Sequence, residues 1–527
     1  MLRRIADRTR PWDIVVIGGG AVGAGIAVDA SSRGLDILLV EREDFGKGTS
    51  SRSTKLVHGG VRYLEQGNIS LVMEALRERG LLLRNAPHVV RELSFVVPNY
   101  SWWEAPFYGI GMKVYDLLAG KYNFGRSRVL SVEQTLERLP NIRKDGLRGG
   151  VLYYDGQFDD ARLLIHLIAT AADRGATVAN YVEAVGFAKD GQGLISAVTL
   201  LDREANCHFT AGAKVVINAT GVFTDATRRL SQPHAEAMVS PSQGIHIVLD
   251  RSFLSGDSAI MVPRTSDGRV LFAIPWHDRT LVGTTDTPID EPCYEPLPLE
   301  EEVDFILDTA GDYLARAPAR GDVLSVFAGI RPLVNTRSAA ITKTSNLSRG
   351  HAVHFDSDGL MTIVGGKWTT YRRMAEECVD QAILFGDLPE SRCTTESLQI
   401  HGHCIDASDL GDLHVYGSDA AGIREIATGR PELKCHLHAR LPYTGAEIVW
   451  AVRHEMARNL DDALSRRTRA LILDARAALE IAPRVAAIMA EELDKDMDWV
   501  NKQIQSFTQL AERHLLTSPR ESAKGCA

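Results

Sequence analysis

The sequence predicts an α/β chain in which a dinucleotide-binding domain carries an inserted antiparallel sheet and is followed by a C-terminal α-helical domain. Three observations predict this architecture. An apolar strand at residues 13–17 runs into a glycine loop, short alternating runs follow between residues 245 and 290, and the composition becomes helical beyond residue 400. At 527 residues the chain is too long for one compact core, so about two or three domains are expected.

The first element is a strand, a glycine turn, a helix and a second strand. Gly18 permits the tight turn, Gly20 lets the backbone approach a pyrophosphate, and Gly23 lets the helix pack closely on the strand. The N-terminus of that helix offers free N–H groups and the positive end of its dipole to phosphates. The second strand, 35–40, ends at Glu41, where a carboxylate can accept from a ribose hydroxyl. This unit predicts a Rossmann-like dinucleotide site.

The remaining helices and strands follow from their periodicity. Helices are expected at residues 69–84 and 160–174, where apolar residues recur with helical spacing. Strands are expected at 214–221, 245–249, 270–274, 280–283 and 360–364. The middle three alternate in polarity, which predicts an antiparallel sheet inserted into the first domain.

Beyond residue 400 the pattern is helical. Thr444 and Glu447 have the spacing of a capping box, and apolar residues from Val449 to Leu464 follow on one face. The charged residues between 450 and 470 are therefore expected on the solvated face of that helix.

Composition and charge restrict the class of partner. The formal net charge is −9 at pH 7, and no basic stripe is present, which argues against nucleic acid. No stretch approaches the roughly 20 uncharged apolar residues that cross a bilayer. The N-terminal arginines precede no apolar segment, so we expect a basic tail rather than a secretory signal.

The cysteines indicate a reducing compartment. There are seven, widely spaced and without a Cys-x-x-Cys pair. Soft ligands that could hold zinc are grouped at His401, His403, Cys404, Cys435, His436 and His438. Neither half has a recognised ligand spacing, so a metal site is the less favoured interpretation of this group.

The chain has one dinucleotide fingerprint, because the glycines at 109–111 have no strand before them and no acid in register after them. Electrons are therefore expected to come from a small substrate and to leave to an acceptor outside the fold. The loop 48–55 supplies hydroxyl and backbone N–H groups for a longer cofactor, which favours FAD over NAD.

Several spaced motifs together resemble one family. They are GGGAVGAGIAVD at 18–29, TSSRSTKLVHGGVRYLE at 49–65, DDAR at 159–162, NATG at 218–221, QGIHIV at 243–248, PW at 275–276, GTTDT at 283–287, GIRPL at 329–333 and GGKWTTYR at 365–372. In this order they resemble the flavin-dependent glycerol-3-phosphate dehydrogenases, and residues 441–469 resemble that family's helical cap domain.

The resemblance implies oxidation of sn-glycerol 3-phosphate to dihydroxyacetone phosphate at FAD, with electrons passed to ubiquinone or another membrane quinone. It also implies attachment to a membrane surface, which we expect to be the cytoplasmic face of a bacterial inner membrane. The aromatic stretch 95–124, interpreted as irregular, either dips into lipid headgroups or lines the substrate domain. A glycerol-3-phosphate oxidase using O2 or another FAD-dependent oxidase of this fold stays open, as does a homodimer.

The resemblance also divides the chain into domains. The FAD-binding domain is expected at 12–95, 150–240 and 340–390, the substrate-binding domain at 96–149 and 241–339, and the cap domain at 395–527. The expected FAD contacts are Gly18, Gly20, Ala21, Val22, Gly23, Glu41, Thr49, Ser50, Ser51, Lys55, Leu56, Gly59, Gly60, Ala219, Thr220, Gly221, Gly366, Lys367 and Thr369.

A phosphorylated substrate requires fixed cations. The candidates are Arg62, Arg331, Lys343 and Lys367. Thr284 and Thr285 could donate hydroxyls to the same phosphate, and Tyr63 is either a substrate contact or core packing. Lys343 stands where the family's pattern leads us to expect an arginine, so the charge is kept but the bidentate fork is lost.

Oxidation of a secondary alcohol needs a base for its proton. His58 and His246 are the two candidates, and the sequence does not rank them; each could instead be a neutral core histidine. Arg331 is expected to stabilise the developing alkoxide as well.

Overall fold

The computed structural model describes residues 1–61, 64, 67–265, 268–334 and 351–516. The strands are β1 (Trp12–Ile17), β2 (Ile37–Val40), β3 (Leu56–Val57), β4 (Val90–Asn99), β5 (Arg128–Leu130), β6 (Gly149–Phe158), β7 (Thr177–Ala179), β8 (Val182–Lys189), β9 (Ile195–Asp202), β10 (Cys207–Asn218), β11 (Val239–Asp250), β12 (Ala259–Val262), β13 (Leu271–Trp276), β14 (Arg279–Gly283), β15 (Thr287–Pro288), β16 (Val323–Val334), β17 (His351–Phe355), β18 (Met361–Gly365), β19 (His436–His438) and β20 (Leu441–Thr444). The helices are α1 (Leu2–Ala6), α2 (Ala21–Ser32), α3 (Ile69–Asn85), α4 (Glu104–Ala119), α5 (Val132–Arg138), α6 (Asp160–Asp173), α7 (Thr224–Arg229), α8 (Glu300–Tyr313), α9 (Tyr371–Phe385), α10 (Ala420–Gly429), α11 (Gly445–His454), α12 (Ala470–Leu473), α13 (Ala475–Leu493) and α14 (Met497–Glu512).

The first sheet confirms the predicted α/β framework. Its order is β17-β18-β10-β1-β2-β7, and β1 pairs in parallel with both β10 and β2. Strand β2 and the middle of β1 are fully buried, as expected for parallel strands covered on both faces. Helix α2 packs between α6 and α9 on one of these faces. The carboxyl ends of neighbouring strands β1 and β10 form the crevice where such sheets bind ligands.

The second sheet confirms the predicted insertion. Its order is β15-β11-β14-β13-β12-β4-β6-β3, with β16 paired along β11 and β5 paired with β6. It is antiparallel except for the parallel pair of β4 and β12. The long β11–β16 pair sets Arg331 opposite Ser242 and Phe327 opposite His246, so this register places two predicted site residues.

The predicted domain limits at 95/96 and 149/150 pass through strands β4 and β6. Both strands lie in the second sheet and pair with each other along their length. We therefore propose that 90–99 and 149–158 belong wholly to the substrate-binding part of the chain.

The sequence predicted an irregular aromatic stretch at 95–124, but the structure shows regular elements there. It contains the end of β4 and the helix α4. Pro106 and the two glycines at 109 and 111 concealed this helix, yet proline is tolerated in a first turn, where its missing N–H has no intrahelical partner.

The prediction that the charges between 450 and 470 are solvated holds for Arg453 and His454 but is wrong for the arginines near the end of this range. The capping box of α11 is present, but the helix ends at His454, and a π-helical turn follows at Asp462–Arg467. Arg466 and Arg467 are buried and both bind Asp44 of the first domain. The apolar pattern of α11 continues past the residue where the helix ends. The two arginines therefore do not lie on the solvated face of α11 but inside the protein.

Candidate active site

The carboxyl ends of the first sheet open into a cleft with a volume of about 420 Å³, here called the cofactor cleft. It includes twelve of the predicted FAD contacts: Gly18, Gly20, Ala21, Val22, Glu41, Thr49, Ser50, Ala219, Thr220, Gly221, Gly366 and Lys367. It also includes residues that the sequence did not single out, among them Lys47, Phe223, Tyr294, Pro332 and Trp368. Trp368 lies within the matched GGKWTTYR motif, so that motif offered a signal for it.

The glycines of the first turn have the roles that their spacing predicted. Gly18 has a φ of +110°, and a Cβ there would lie 2.6 Å from the carbonyl oxygen of Ala219. A Cβ on Gly23 would lie 1.9 Å from the carbonyl oxygen of Gly18. No side chain fits at either position, so β1, α2 and β10 approach one another closely only because both residues are glycine.

Glu41 lies in the cleft with both carboxylate oxygens oriented by backbone N–H groups. Gly19 donates to Oε2 at 2.7 Å and Glu43 donates to Oε1 at 2.9 Å. Burial raises the pKa of this carboxyl to about 7, against the lowering effect of these two hydrogen bonds. The remaining lone pairs can accept from a ribose diol.

The loop 49–55 connects the two sheets. Ser50 Oγ accepts from Ala21 N at 2.9 Å, at the N-terminus of α2. Thr49 donates to the carbonyl oxygen of Ile330 at 2.6 Å, on strand β16. The cleft that begins at the dinucleotide turn therefore extends to the strand that carries Arg331.

Seven predicted FAD contacts are not among the residues that line this cleft: Gly23, Ser51, Lys55, Leu56, Gly59, Gly60 and Thr369. Lys55 is buried and donates to Asp160 at 2.7 Å, and Ser51 O accepts from Lys55 at 2.8 Å. Thr369 Oγ1 accepts from His58 N at 3.2 Å. Ser51 and Lys55 thus stabilise the loop through hydrogen bonds, and Thr369 binds the backbone of His58 beyond it. Contact with the cofactor stays a prediction for all three.

Arg331 is held by mostly neutral acceptors. It donates to Thr284 Oγ1 at 3.1 Å, to Thr285 O at 3.0 Å and to Gln243 O at 3.4 Å. The carboxylate that pairs with it, Asp286, is half exposed and lies 3.3 Å away. Burial lowers the pKa of Arg331, against the raising effect of the carboxylates of Asp286 and Glu302.

Thr284 and Thr285 differ although they are adjacent. The Thr284 hydroxyl accepts from Arg331 at 3.1 Å and donates to the carbonyl oxygen of Thr285 at 3.3 Å. The Thr285 hydroxyl is buried and donates to Glu302 of α8 at 2.8 Å, while it accepts from Ile245 N at 3.0 Å. The Thr285 hydroxyl thus joins α8 to β11, and its contact with the substrate stays a prediction.

His246 lies on β11 with its ring packed on both sides. It stacks on Phe327 with ring centroids 5.0 Å apart, and a Cβ on Gly283 would lie 2.2 Å from its Cδ2. Nε2 lies 2.9 Å from Thr54 Oγ1. Burial lowers the pKa of His246 well below its usual value, and the charges of Lys55 and Arg331 lower it further. The imidazole is therefore neutral near pH 7.

His58 is the second candidate base, and Lys367 is near it. Burial lowers the pKa of His58 to about 4, and the charge of Lys367 adds to that effect. His58 thus lies near Lys367, which lines the cofactor cleft, whereas His246 lies close enough to Lys55 and Arg331 for their charges to affect it. Three further predicted substrate residues, Arg62, Tyr63 and Lys343, lie outside the described residues.

The histidine and cysteine group considered for zinc has other partners. His401 lies 2.6 Å from an Asp173 oxygen and 2.9 Å from an Asp419 oxygen, and these carboxylates raise its pKa to about 9. His438 lies 2.9 Å from Glu480. Across the described ranges, no three or more His, Cys, Asp or Glu side chains are arranged to hold a metal ion.

The residues of the cleft fit FAD. The helix N-terminus at Gly20–Val22 can receive a pyrophosphate, and Glu41 can accept from the adenosine ribose. Toward β16 the cleft continues along Thr49, Gly366 and Trp368, which extends it beyond the length of a mononucleotide site. A Cβ on Gly20 would lie 3.1 Å from Ser50 Oγ, so a side chain at this position would crowd that hydroxyl.

Comparisons with known proteins agree with this fit. Residues 13–372 match the family model described as FAD dependent oxidoreductase, and residues 361–499 match the one described as C-terminal domain of alpha-glycerophosphate oxidase. The mitochondrial glycerol-3-phosphate dehydrogenase of Mesocricetus auratus is 42% identical over 522 residues, covering 93% of this chain and 71% of that protein. Its counterpart in Arabidopsis thaliana is 39% identical, covering 96% of this chain and 87% of that protein.

A solved structure extends the agreement to three dimensions. The glycerol-3-phosphate dehydrogenase from Bacillus halodurans, complexed with FAD, superposes with a TM-score of 0.78 at 29% identity and covers 98% of each chain. The same two-sheet and helical-cap arrangement is therefore shared along the whole chain. We conclude that this chain belongs to the family of FAD-dependent glycerol-3-phosphate dehydrogenases.

Proposed function

We propose that the protein oxidises sn-glycerol 3-phosphate to dihydroxyacetone phosphate. The observation that carries this proposal is the position of Arg331. Its neighbour Pro332 lines the cofactor cleft, and its partly exposed guanidinium lies beside Thr284 and pairs only with the half-exposed Asp286 among the described residues. A phosphate is the kind of group that such an arginine binds, through a bidentate fork.

The remaining residues supply the second half of the chemistry. The substrate's hydroxyl proton passes to a neutral histidine, and the hydride leaves the same carbon as the C–O bond becomes C=O. When bound, FAD accepts that hydride. His246 is the proposed base, because it lies next to Arg331, which would hold the substrate. A phosphate dianion at Arg331 would offset one of the charges that lower the pKa of His246, so substrate binding would strengthen this base.

We also propose a membrane quinone as the electron acceptor. Helix α4 supports this, because its apolar residues Trp103, Phe107, Ile110, Val114 and Leu117 recur at helical spacing and are exposed. An amphipathic helix with such a face can lie in the headgroup region of a membrane. Within the described part of the chain, no helix combines the length and apolarity needed to cross a bilayer. The cytoplasmic face of a bacterial inner membrane stays our prediction for the location.

The activity is tested by anaerobic addition of glycerol 3-phosphate to the purified flavoprotein. We expect the absorbance of the oxidised flavin, at about 450 nm, to bleach in one turnover. Dihydroxyacetone phosphate should be the product. Glycerol and lactate serve as controls, because they lack the phosphate that Arg331 would bind. Bleaching by glycerol at a similar rate, or none with glycerol 3-phosphate, would contradict the substrate assignment.

The oxidase alternative has one finding in its favour, since residues 361–499 match the C-terminal domain model named after alpha-glycerophosphate oxidase. The reduced enzyme is therefore mixed with air-saturated buffer and, separately, with a water-soluble quinone. We expect much faster reoxidation by the quinone. Fast reoxidation by air with stoichiometric hydrogen peroxide would favour the oxidase.

Membrane attachment is tested by flotation with anionic phospholipid vesicles. Ile110→Asp on α4 should abolish flotation, because it places a charge on the exposed apolar face. Leu384→Asp is the matched control, since Leu384 is an exposed apolar residue on another helix, α9. Equal flotation of both variants would exclude α4 as the attachment surface.

A further inference from the structure

Thr54 forms a hydrogen bond with the imidazole of His246, between Oγ1 and Nε2 at 2.9 Å. The other ring nitrogen, Nδ1, is buried and has no partner among the residues that the structure describes. Phe327 and Gly283 confine the plane of the ring. Packing thus fixes the plane, and the hydrogen bond to Thr54 determines which nitrogen faces which side.

Thr54 is itself held tightly, because both of its neighbours bind Asp160 at the start of α6. Asp160 Oδ2 accepts from Ser53 N at 3.0 Å, from Ser53 Oγ at 2.7 Å and from Lys55 Nζ at 2.7 Å. The other oxygen of Asp160 accepts from Arg469 at 3.0 Å and from Ala161 N at 2.8 Å. All these groups are buried or partly buried, so the loop has little freedom around Thr54.

The protonation of the ring follows from these contacts. A buried N–H without a partner is rarer in proteins than a buried lone pair without one. The favoured arrangement is therefore Nε2–H donating to Thr54 Oγ1, with a bare lone pair at Nδ1. A buried polar atom without a partner requires an explanation, and a role in catalysis is one of them.

We propose that Thr54 is a positioning residue, fixed by Asp160, that accepts from Nε2–H of His246 and so presents Nδ1 as the proton-accepting atom. This inference rests on the proposed oxidation of glycerol 3-phosphate. The substrate proton moves from the hydroxyl oxygen to Nδ1 as the C–H hydride leaves. Thr54 then stabilises the imidazolium through the unchanged Nε2–H bond, as orienting groups do for catalytic histidines.

The test compares Thr54→Val, which keeps the shape but removes the hydroxyl, with Thr54→Ser, which keeps the hydroxyl. Stopped-flow flavin bleaching is recorded for both holoenzymes against substrate concentration and pH. We expect Thr54→Val to slow the limiting bleaching rate about tenfold to 100-fold, with KM changed less than about threefold. Thr54→Ser should restore the rate to within about threefold of the parent.

The pH profile separates positioning from simple packing. The charged groups facing His246 are Lys55 and Arg331, and neither is altered in these variants. Loss of the acceptor for Nε2–H destabilises the imidazolium and lowers the pKa of His246, so Thr54→Val should shift the acidic limb of the profile, where the rate rises with pH, to lower pH. A Thr54→Val enzyme with the parent's rate and profile, or a Thr54→Ser enzyme as slow as Thr54→Val, would overturn the proposal.

A second variant covers the case in which Thr54→Val loses its flavin. Ser53→Ala removes one of the bonds to Asp160 but keeps the Ser53 N–H bond. It should lower the limiting rate about threefold to tenfold without changing KM. An unchanged rate would contradict the proposed fixing of Thr54 by Asp160. If the parent protein itself fails to bleach with glycerol 3-phosphate, the proposed function is wrong, whereas bleaching by the parent with no effect of any variant refutes only this inference.

Discussion

Two arginines, the buried Arg467 and the partly exposed Arg331, contrast a side chain placed for stability with one placed for binding. Arg467 binds Asp44 through both arms of its fork, at 2.5 and 2.8 Å, and donates to the carbonyl oxygen of Glu455. Arg331 instead meets hydroxyl and carbonyl oxygens at 3.0–3.4 Å and one half-exposed carboxylate.

The pKa values express this difference. Burial alone would lower the pKa of Arg467, but Asp44 raises it above its ordinary value. For Arg331 burial prevails and the pKa falls. An arginine whose charge is matched at close range inside the fold holds two segments together, whereas one that is partly exposed and loosely paired can still gain from an anionic ligand.

The largest expected effect is on stability, at Arg467. Arg467→Met leaves the carboxylate of Asp44 buried with one cation fewer, so we expect a loss of about 3–5 kcal/mol in the free energy of unfolding. Urea unfolding followed by circular dichroism measures it. The double variant with Asp44→Asn should recover part of the loss, and a stability unchanged in both variants would contradict the structural role.

The second effect is on activity, at Arg331. Arg331→Ala should lower kcat/KM for glycerol 3-phosphate about 100-fold to 1000-fold, because a phosphate contact is worth several kcal/mol when desolvated. Arg331→Lys should recover part of this, since it keeps the charge and loses the fork. Flavin content and unfolding free energy should change little in both variants. A loss of flavin with the activity would place Arg331 in the cofactor site instead.

The cofactor cleft could be predicted from sequence because its signals are local. Gly18, Gly23 and Glu41 lie within one strand–turn–helix–strand unit, where the turn requires glycine at 18 and the close approach of helix and strand requires it at 23. The partners of the arginines could not be predicted, since Asp44 and Arg467 are 423 positions apart. The same holds for Thr54 and His246, 192 positions apart, although both lie in matched motifs. Because the partner of His246 is so distant in the chain, His58 and His246 could not be ranked as the base from sequence.

The third effect concerns the cleft and has a pH dependence. Glu41 accepts from a ribose hydroxyl best as a carboxylate, and burial raises its pKa to about 7. FAD affinity should therefore rise as pH increases through about 7 and level off above it, by about tenfold in total. Dissociation of FAD from the holoenzyme, followed by its fluorescence, measures this. Glu41→Gln should bind more weakly at pH 8 and lose the dependence near pH 7; a dependence retained in Glu41→Gln would assign it to another group.

The smallest effect is expected at Arg458, a third arginine, whose ion pair is exposed to solvent. Arg458 pairs with Glu204 at 3.1 Å, and both side chains are more than a third exposed. Solvent screens such a pair, and fixing two long side chains costs entropy, so Arg458→Met should change the free energy of unfolding by less than about 1 kcal/mol. The measurement is the same urea titration used for Arg467→Met, which makes Arg458→Met its matched control. Similar losses in the two variants would mean that burial of the pair does not determine what an arginine contributes in this fold.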